Sequence, residues 1–158
     1  MNKKEVFGMQ RVTNCIVIDQ DHILLLKKPS RGWYAIPGGK MEQGETIKES
    51  AIREYWEETA LTPNNPTLAG VFTFSIYHQE ELENEWMMFT FITDSYQGQL
   101  TEHCDEGELE WVPIKQLHQL PMAEGDHKIF EHILTSKATV FGAFSYTNEF
   151  QLIDYRIN

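Results

Sequence analysis

Residues 9–19 are rich in Val and Ile, and after Gln20 and Asp21 a second apolar run spans residues 23–26. The two read as the strands of a hairpin. Residues 29–39 hold three glycines, two prolines and the aromatics Trp33 and Tyr34, which reads as a loop with a short strand at residues 34–36. Residues 46–59 contain no Gly or Pro and place Ile47, Ala51, Ile52, Tyr55 and Trp56 near a 3.6-residue period, predicting an amphipathic helix that Pro63 and Pro66 bring to an end. Residues 68–77 and 86–93 read as a second hairpin joined by the acidic stretch 80–85. A short strand follows at 109–112, then helical patterns at 114–120 and 126–134, then alternating strands at 139–146 and 150–157 around Thr147 and Asn148. Strands interrupted by one central helix, with more helix near the end, predict an α/β fold whose mixed sheet is covered on its faces.

A length of 158 residues with a 41% hydrophobic share suits one domain, residues 1–158, with a substantial core. Repeats, low-complexity tracts and linker-like runs are absent from the sequence. No stretch approaches the roughly 18 uncharged apolar residues of a membrane span, and the lysines of residues 1–6 have no apolar segment behind them, so a cytoplasmic protein without a membrane partner is expected. Cys15 and Cys104 lie far apart without metal-ligand spacing and are read as reduced and structural. The 24 acidic against 13 basic side chains leave a formal net charge of -11, which repels long nucleic acids. A small polyanion can still bind where local positive charge overrules that field. Monomer and homodimer are both compatible with the sequence.

Residues 39–61 supply the means, reading GKMEQGETIKESAIREYWEETAL. At 100° per residue Glu54 and Glu58 share one helical face with Glu57 at its edge, so three carboxylates are expected to converge. Like charges at these spacings disfavour an isolated helix by roughly 0.2–0.5 kcal/mol per pair, a penalty that a bound cation removes. Clustered carboxylate oxygens suit Mg²⁺ or Mn²⁺, which leaves coordination sites for water and phosphate oxygens. An acidic run on a helix is by itself more often a solvated face. The flanking residues change that balance. Gly38 and Gly39 put unhindered backbone ahead of the helix, Glu45 complements the helix N-terminus, and Arg53 can clamp Glu45 through a bidentate pair.

These residues resemble the Nudix box, G-x5-E-x7-R-E-U-x-E-E-x-G-U with U aliphatic: Gly39, Glu45, Arg53, Glu54, Glu57, Glu58 and Leu61 all match. Seven fixed matches arise by chance at roughly 10⁻⁸ per window. Tyr55 stands where the pattern has an aliphatic residue, and Ala60 where it has glycine. A side chain at that second position costs about 1 kcal/mol if the backbone is left-handed.

The resemblance implies an α/β/α sandwich and a metal-dependent pyrophosphohydrolase acting on nucleoside polyphosphates. It implies Glu54, Glu57 and Glu58 as metal ligands and catalytic carboxylates, with the Gly38 carbonyl as a further ligand. It also points to Glu106 as an acidic ligand or base from a later loop, and to Arg31 and Lys40 as phosphate contacts. Within the family the likeness is greatest to MutT-type enzymes that clear oxidised purine nucleoside triphosphates such as 8-oxo-dGTP, carried by Asp105 and Glu106 before Trp111, by Gly125 and Asp126, and by the ending VFGAFSYTNEFQLIDYRI. Asp126 with Glu124 would then hydrogen-bond the base, and Trp33, Phe72, Phe74 or Met122 would stack on it, although aromatics at alternating strand positions more commonly fill cores. Ala35 and Ile36 stand where oxidised-purine enzymes can carry a hydrogen-bonding asparagine, which keeps guanosine alarmones as a competing substrate. A non-catalytic nucleotide sensor on the same fold is the alternative of another class, and an intact set of box glutamates counts against it. The net acidity counts against an RNA-end substrate.

Overall fold

A computed structural model describes residues 9–158. The expected elements are present, several with shifted ends. Strands β1 (Gln10–Asp19) and β2 (His22–Lys27) form the first hairpin, closed by Gln20 and Asp21 at positive φ. The strands β3 (Tyr34–Ala35) and β4 (Gly38–Lys40) follow. Helix α1 (Ile47–Thr59) begins at Thr46, whose hydroxyl accepts from the Glu49 N–H while the Glu49 carboxylate accepts from the Thr46 N–H. This reciprocal capping box satisfies two helix-end donors and fixes where the helix starts. Its buried face is Ser50, Ala51, Tyr55 and Thr59, whereas Trp56, expected to face the core, is 56% exposed. The Ser50 hydroxyl pairs with that of Thr13 on β1 at 2.7 Å, which turns the helix toward its small polar side.

After β5 (Thr62–Pro63), strands β6 (Thr67–His78) and β7 (Glu81–Thr93) make a long hairpin. The acidic stretch read as a connector is mostly strand. Only Gln79 and Glu80 turn, both at positive φ, as a two-residue hairpin requires. The strand β8 (Tyr96–Gln97) pairs with β5, and β9 (Glu108–Pro113) leads into a 3-10 turn over Ile114–Gln119 where an α-helical pattern was expected. Helix α2 (Glu124–Ile133) precedes β10 (Val140–Thr147) and β11 (Leu152–Ile157). Phe150, expected at the start of the last strand, lies instead in the turn before it.

The main sheet runs β11-β10-β6-β7-β1-β2-β3, with β9 on β2 and β4 on β1. The pairs β1/β7 and β6/β10 are parallel and the others antiparallel, giving the mixed sheet expected. Helix α1 closes one face over Cys15, Val17, Leu24, Phe91 and its own Tyr55. Helix α2 closes the other over Phe72, Phe144, Ile129 and Phe130. The result is an α/β/α sandwich. Burial pushes the Cys15 thiol up to about 12, keeping it protonated, and neither cysteine is in a disulfide. Among the described residues no helix is long and apolar enough to cross a membrane.

Strand β1 shares one edge between two partners: Val12, Thr13 and Asn14 pair with β4, and Ile18 and Asp19 with β2. This places Gly38 and Gly39 directly beside α1, where the candidate site lies.

Candidate active site

Arg53 organises the carboxylate helix. Its Nε and Nη2 grip Glu45 at 2.6 and 3.0 Å, its Nη1 reaches Glu54 at 3.0 Å and Glu57 at 3.1 Å, and its Nη2 also donates to the Lys40 carbonyl at 3.1 Å. The bidentate pair is the one its spacing predicted, and with the Glu42 N–H it holds the Glu45 carboxyl below its usual range. One guanidinium therefore ties the loop to α1 and offsets the repulsion between Glu54 and Glu57.

Glu54 lies against Gly39 so closely that a Cβ at residue 39 would collide with its carboxylate. At residue 38 a Cβ would strike the Thr13 carbonyl. Both glycines are thus steric requirements of the cradle. Glu58 turns the other way and accepts from the Gly38 N–H at 2.8 Å. Burial pushes its carboxyl up to about 7; the Gly38 N–H opposes this, Glu106 and Glu54 add to it, and Lys28 opposes it again. Glu106 is near enough to Glu58 for its charge to be felt there, and its neighbour Asp105 pairs with His103 at 2.9 Å.

The expected convergence of three carboxylates is therefore only partial: among the described residues no three acidic side chains close on a single point. Arg53 draws Glu54 and Glu57 to one side, and Glu58 is held by backbone. This suits a cation taken up mainly by one or two carboxylates, water and substrate oxygens. The donors at hand, namely Glu54, Glu57, Glu58, Glu106 and the Gly38 carbonyl, are all hard oxygens, and the absence of a side chain at Gly39 leaves room for the Glu54 carboxylate beside the backbone. They fit Mg²⁺ or Mn²⁺.

On the other side of Lys28 opens a cleft of about 370 Å³, lined by Trp33, Phe74, Trp86, Asp126, Tyr146 and Phe150 among others. Phe74 and Trp86 are stacked at 5.4 Å. Burial pushes the Asp126 carboxyl up to about 7, with Lys28 pulling it down. Asp126 sits in the first turn of α2, and the preceding Gly125 is packed so tightly that a Cβ there would meet the Tyr146 hydroxyl, to which its N–H donates at 2.7 Å.

The expected base-binding set is thus brought together in part. Trp33, Phe74 and Asp126 line the cleft; Glu124 is exposed and outside its lining; Phe72 and Met122 are buried in the core. Of the expected phosphate contacts, Arg31 packs over the rings of Trp33 and Phe150, and Lys40 is exposed with its carbonyl on Arg53. Lys28 was missed. The signal was the Lys27-Lys28 pair at the end of β2, where alternation sends consecutive side chains to opposite faces. Trp86, Tyr146 and Phe150 come from distant strands and a turn, and nothing in their local sequence marks them.

Comparison with known proteins accords with this geometry. The NUDIX domain matches residues 8–133. The uncharacterized Nudix hydrolase YvcI of Bacillus subtilis is 48% identical over 150 residues, covering 95% of each chain. The oxidized purine nucleoside triphosphate hydrolase of Danio rerio is 27% identical over 157 residues, covering 97% of each. The crystal structure of the mutator MutT protein of Bacillus halodurans superposes with a TM-score of 0.92 at 49% identity, covering 95% of this chain and 98% of that one. With its carboxylate helix, its glycine cradle and these likenesses, the chain belongs to the Nudix hydrolase family, whose members generally use divalent metal ions.

Proposed function

We propose that the protein hydrolyses a phosphoanhydride bond of purine nucleoside triphosphates, oxidised purines such as 8-oxo-dGTP foremost, releasing the monophosphate and pyrophosphate. The observation that carries this reading is that Lys28 lines the aromatic cleft with Trp33, Phe74 and Asp126 while its charge also reaches Glu58 of the carboxylate helix, so that the cleft and the carboxylate site adjoin. A nucleotide laid across it has its base among Trp33, Phe74 and Asp126 and its phosphates toward α1. The relative from Danio rerio, alike over almost its whole length, supports the same substrate class.

Glu54, Glu57, Glu58 and Glu106, with the Gly38 carbonyl, would hold Mg²⁺ or Mn²⁺, which when bound supplies positive charge to phosphoryl oxygens and acidifies water. Arg53 keeps Glu54 and Glu57 aligned, and Lys28 offsets phosphate charge at the boundary of the two regions. A carboxylate of this set takes the proton of the attacking water. Asp126, with its raised pKa, presents a protonated carboxyl to the base below about pH 7 and an acceptor above it.

Ala35 supports a second reading. It lines the cleft and offers no side-chain hydrogen bond to an oxidised base, which suits guanosine alarmones as well. The test is a screen of phosphate and pyrophosphate release with Mg²⁺ or Mn²⁺ against normal and oxidised nucleoside triphosphates, guanosine alarmones, nucleotide sugars and dinucleotides. A dominant oxidised-purine signal is expected. A dominant alarmone signal replaces the first reading with the second, and silence with retained nucleotide binding replaces both with a sensor.

A further inference from the structure

Phe150 sits at φ 62° in the turn between β10 and β11. A bulky aromatic is unfavourable in this left-handed region, which Gly or Asn occupies readily. The turn is otherwise well made: the Phe150 N–H donates to the Thr147 carbonyl at 2.9 Å, and the Thr147 N–H to the Gln151 carbonyl at 2.8 Å. Its ring is nonetheless turned into the aromatic cleft, edge-on to Trp33 at 6.4 Å and 6.2 Å from Tyr146. The Arg31 guanidinium fills the corner between Trp33 and Phe150, 4.9 and 5.0 Å from the two rings. Among the described residues Arg31 has neither an ion pair nor a side-chain hydrogen bond, so only the rings hold it. A flat, π-faced group that forms no hydrogen bonds in such a corner occupies space that another flat, π-faced group can take. The turn lies beyond residues 8–133, the span that the domain pattern matches.

We propose that Phe150 is a specificity-determining residue, forming with Trp33 an aromatic corner against which a purine base packs after displacing Arg31. This rests on the reading of the cleft as a base site. A two-ring base covers more of the corner than a one-ring base, so the corner favours purine over pyrimidine, and Arg31, once released, is free to meet the phosphates.

The test is calorimetric titration of wild type, Phe150→Gly and Phe150→Leu with GMP and with CMP, alongside their melting temperatures. Glycine accepts the positive φ, so Phe150→Gly keeps the turn and removes only the ring; leucine keeps apolar bulk without a ring face. Wild type is expected to prefer GMP. Both variants should lose GMP affinity by about tenfold or more, with CMP affected far less, as stacking on an aromatic face predicts. Phe150→Gly should melt no lower than wild type. Unchanged GMP affinity in both variants, or equal losses for GMP and CMP, overturns the proposal. Triphosphate hydrolysis is scored in the same preparations: if wild type releases no pyrophosphate while the GMP-selective loss is present, the hydrolase reading fails and the role of Phe150 stands.

Discussion

The carboxylate helix and the aromatic cleft face the same substrate in the proposed reading, yet they are built in opposite ways. The first is local. Glu45, Arg53, Glu54, Glu57 and Glu58 lie within fourteen consecutive positions, and one guanidinium at the helix's own spacing binds three of the carboxylates. The second is assembled from four separate segments, with Trp33 from a loop, Phe74 and Trp86 from a hairpin, Asp126 from α2, and Tyr146 and Phe150 from the last hairpin. Chemistry encoded along one helix tolerates change elsewhere in the chain, whereas a cleft made by topology can be retuned by any one of its segments. That division accords with a family sharing one reaction centre over many substrates.

The largest expected effect breaks the first region while sparing the second. Glu58→Gln removes the charge on a carboxylate held at the Gly38 N–H without changing its shape. Turnover with Mg²⁺ should fall by roughly 10²-fold or more, with GMP affinity nearly unchanged. Steady-state kinetics beside titration checks this. Full activity in both Glu58→Gln and Glu57→Gln removes the carboxylate mechanism.

Arg53→Ala tests whether the same region is also a structural unit. The side chain is 23% exposed, and its loss leaves Glu45, Glu54 and Glu57 uncompensated. Urea unfolding should show a loss of about 2–3 kcal/mol in EDTA. Mg²⁺ should recover part of that loss, because a cation among the freed carboxylates replaces the guanidinium charge. A loss below about 0.5 kcal/mol makes the network an ordinary set of surface ion pairs.

What could be read in the sequence follows the same division. The strands, α1 and the box were legible because periodicity and fixed spacing are local properties. Two-residue strands such as β5 and β8 leave no periodic trace, and the acidic run 80–85 concealed a strand because its charges masked the alternation. Phe72 and Phe74 are two apart on β6, and both were candidates for stacking, Phe74 the favoured one. Only Phe74 lines the cleft, since Phe72 is packed against Phe144 and wholly buried. Lys28 and Phe150 become visible only once the sheet has folded.

Asp126 sharpens the second region through pH. Its carboxyl titrates near pH 7 in the folded chain against an ordinary value of 3.8, so between these limits the native state holds a proton that the unfolded chain has released. Stability therefore falls as pH rises from about 4 to about 7, and Glu58 acts in the same direction. In EDTA, Asp126→Asn should melt above wild type at pH 8, by a smaller margin at pH 5, and with it only near pH 4. The same variant should change discrimination among bases more than hydrolysis of the phosphate chain; equal losses on every nucleotide would contradict its place beside the base.

The smallest effect asks where the first region ends. Ala60 occupies the box's glycine position at φ 66°, its N–H donating to the Trp56 carbonyl at 2.8 Å, so the chain accepts the left-handed cap and its strain. Thr59 secures the exit by taking the Leu61 N–H on its hydroxyl at 3.0 Å. Ala60→Gly should relieve the strain while adding freedom to the unfolded chain, for a net gain of roughly 0.5 kcal/mol and a melting rise of about 1–2 °C. Turnover should not change, because Glu54 and Glu58 are fixed by Arg53 and the Gly38 N–H, upstream of the cap. If turnover shifts with the melting temperature, the helix end is part of the reaction centre, and the boundary drawn at Glu58 moves to include it.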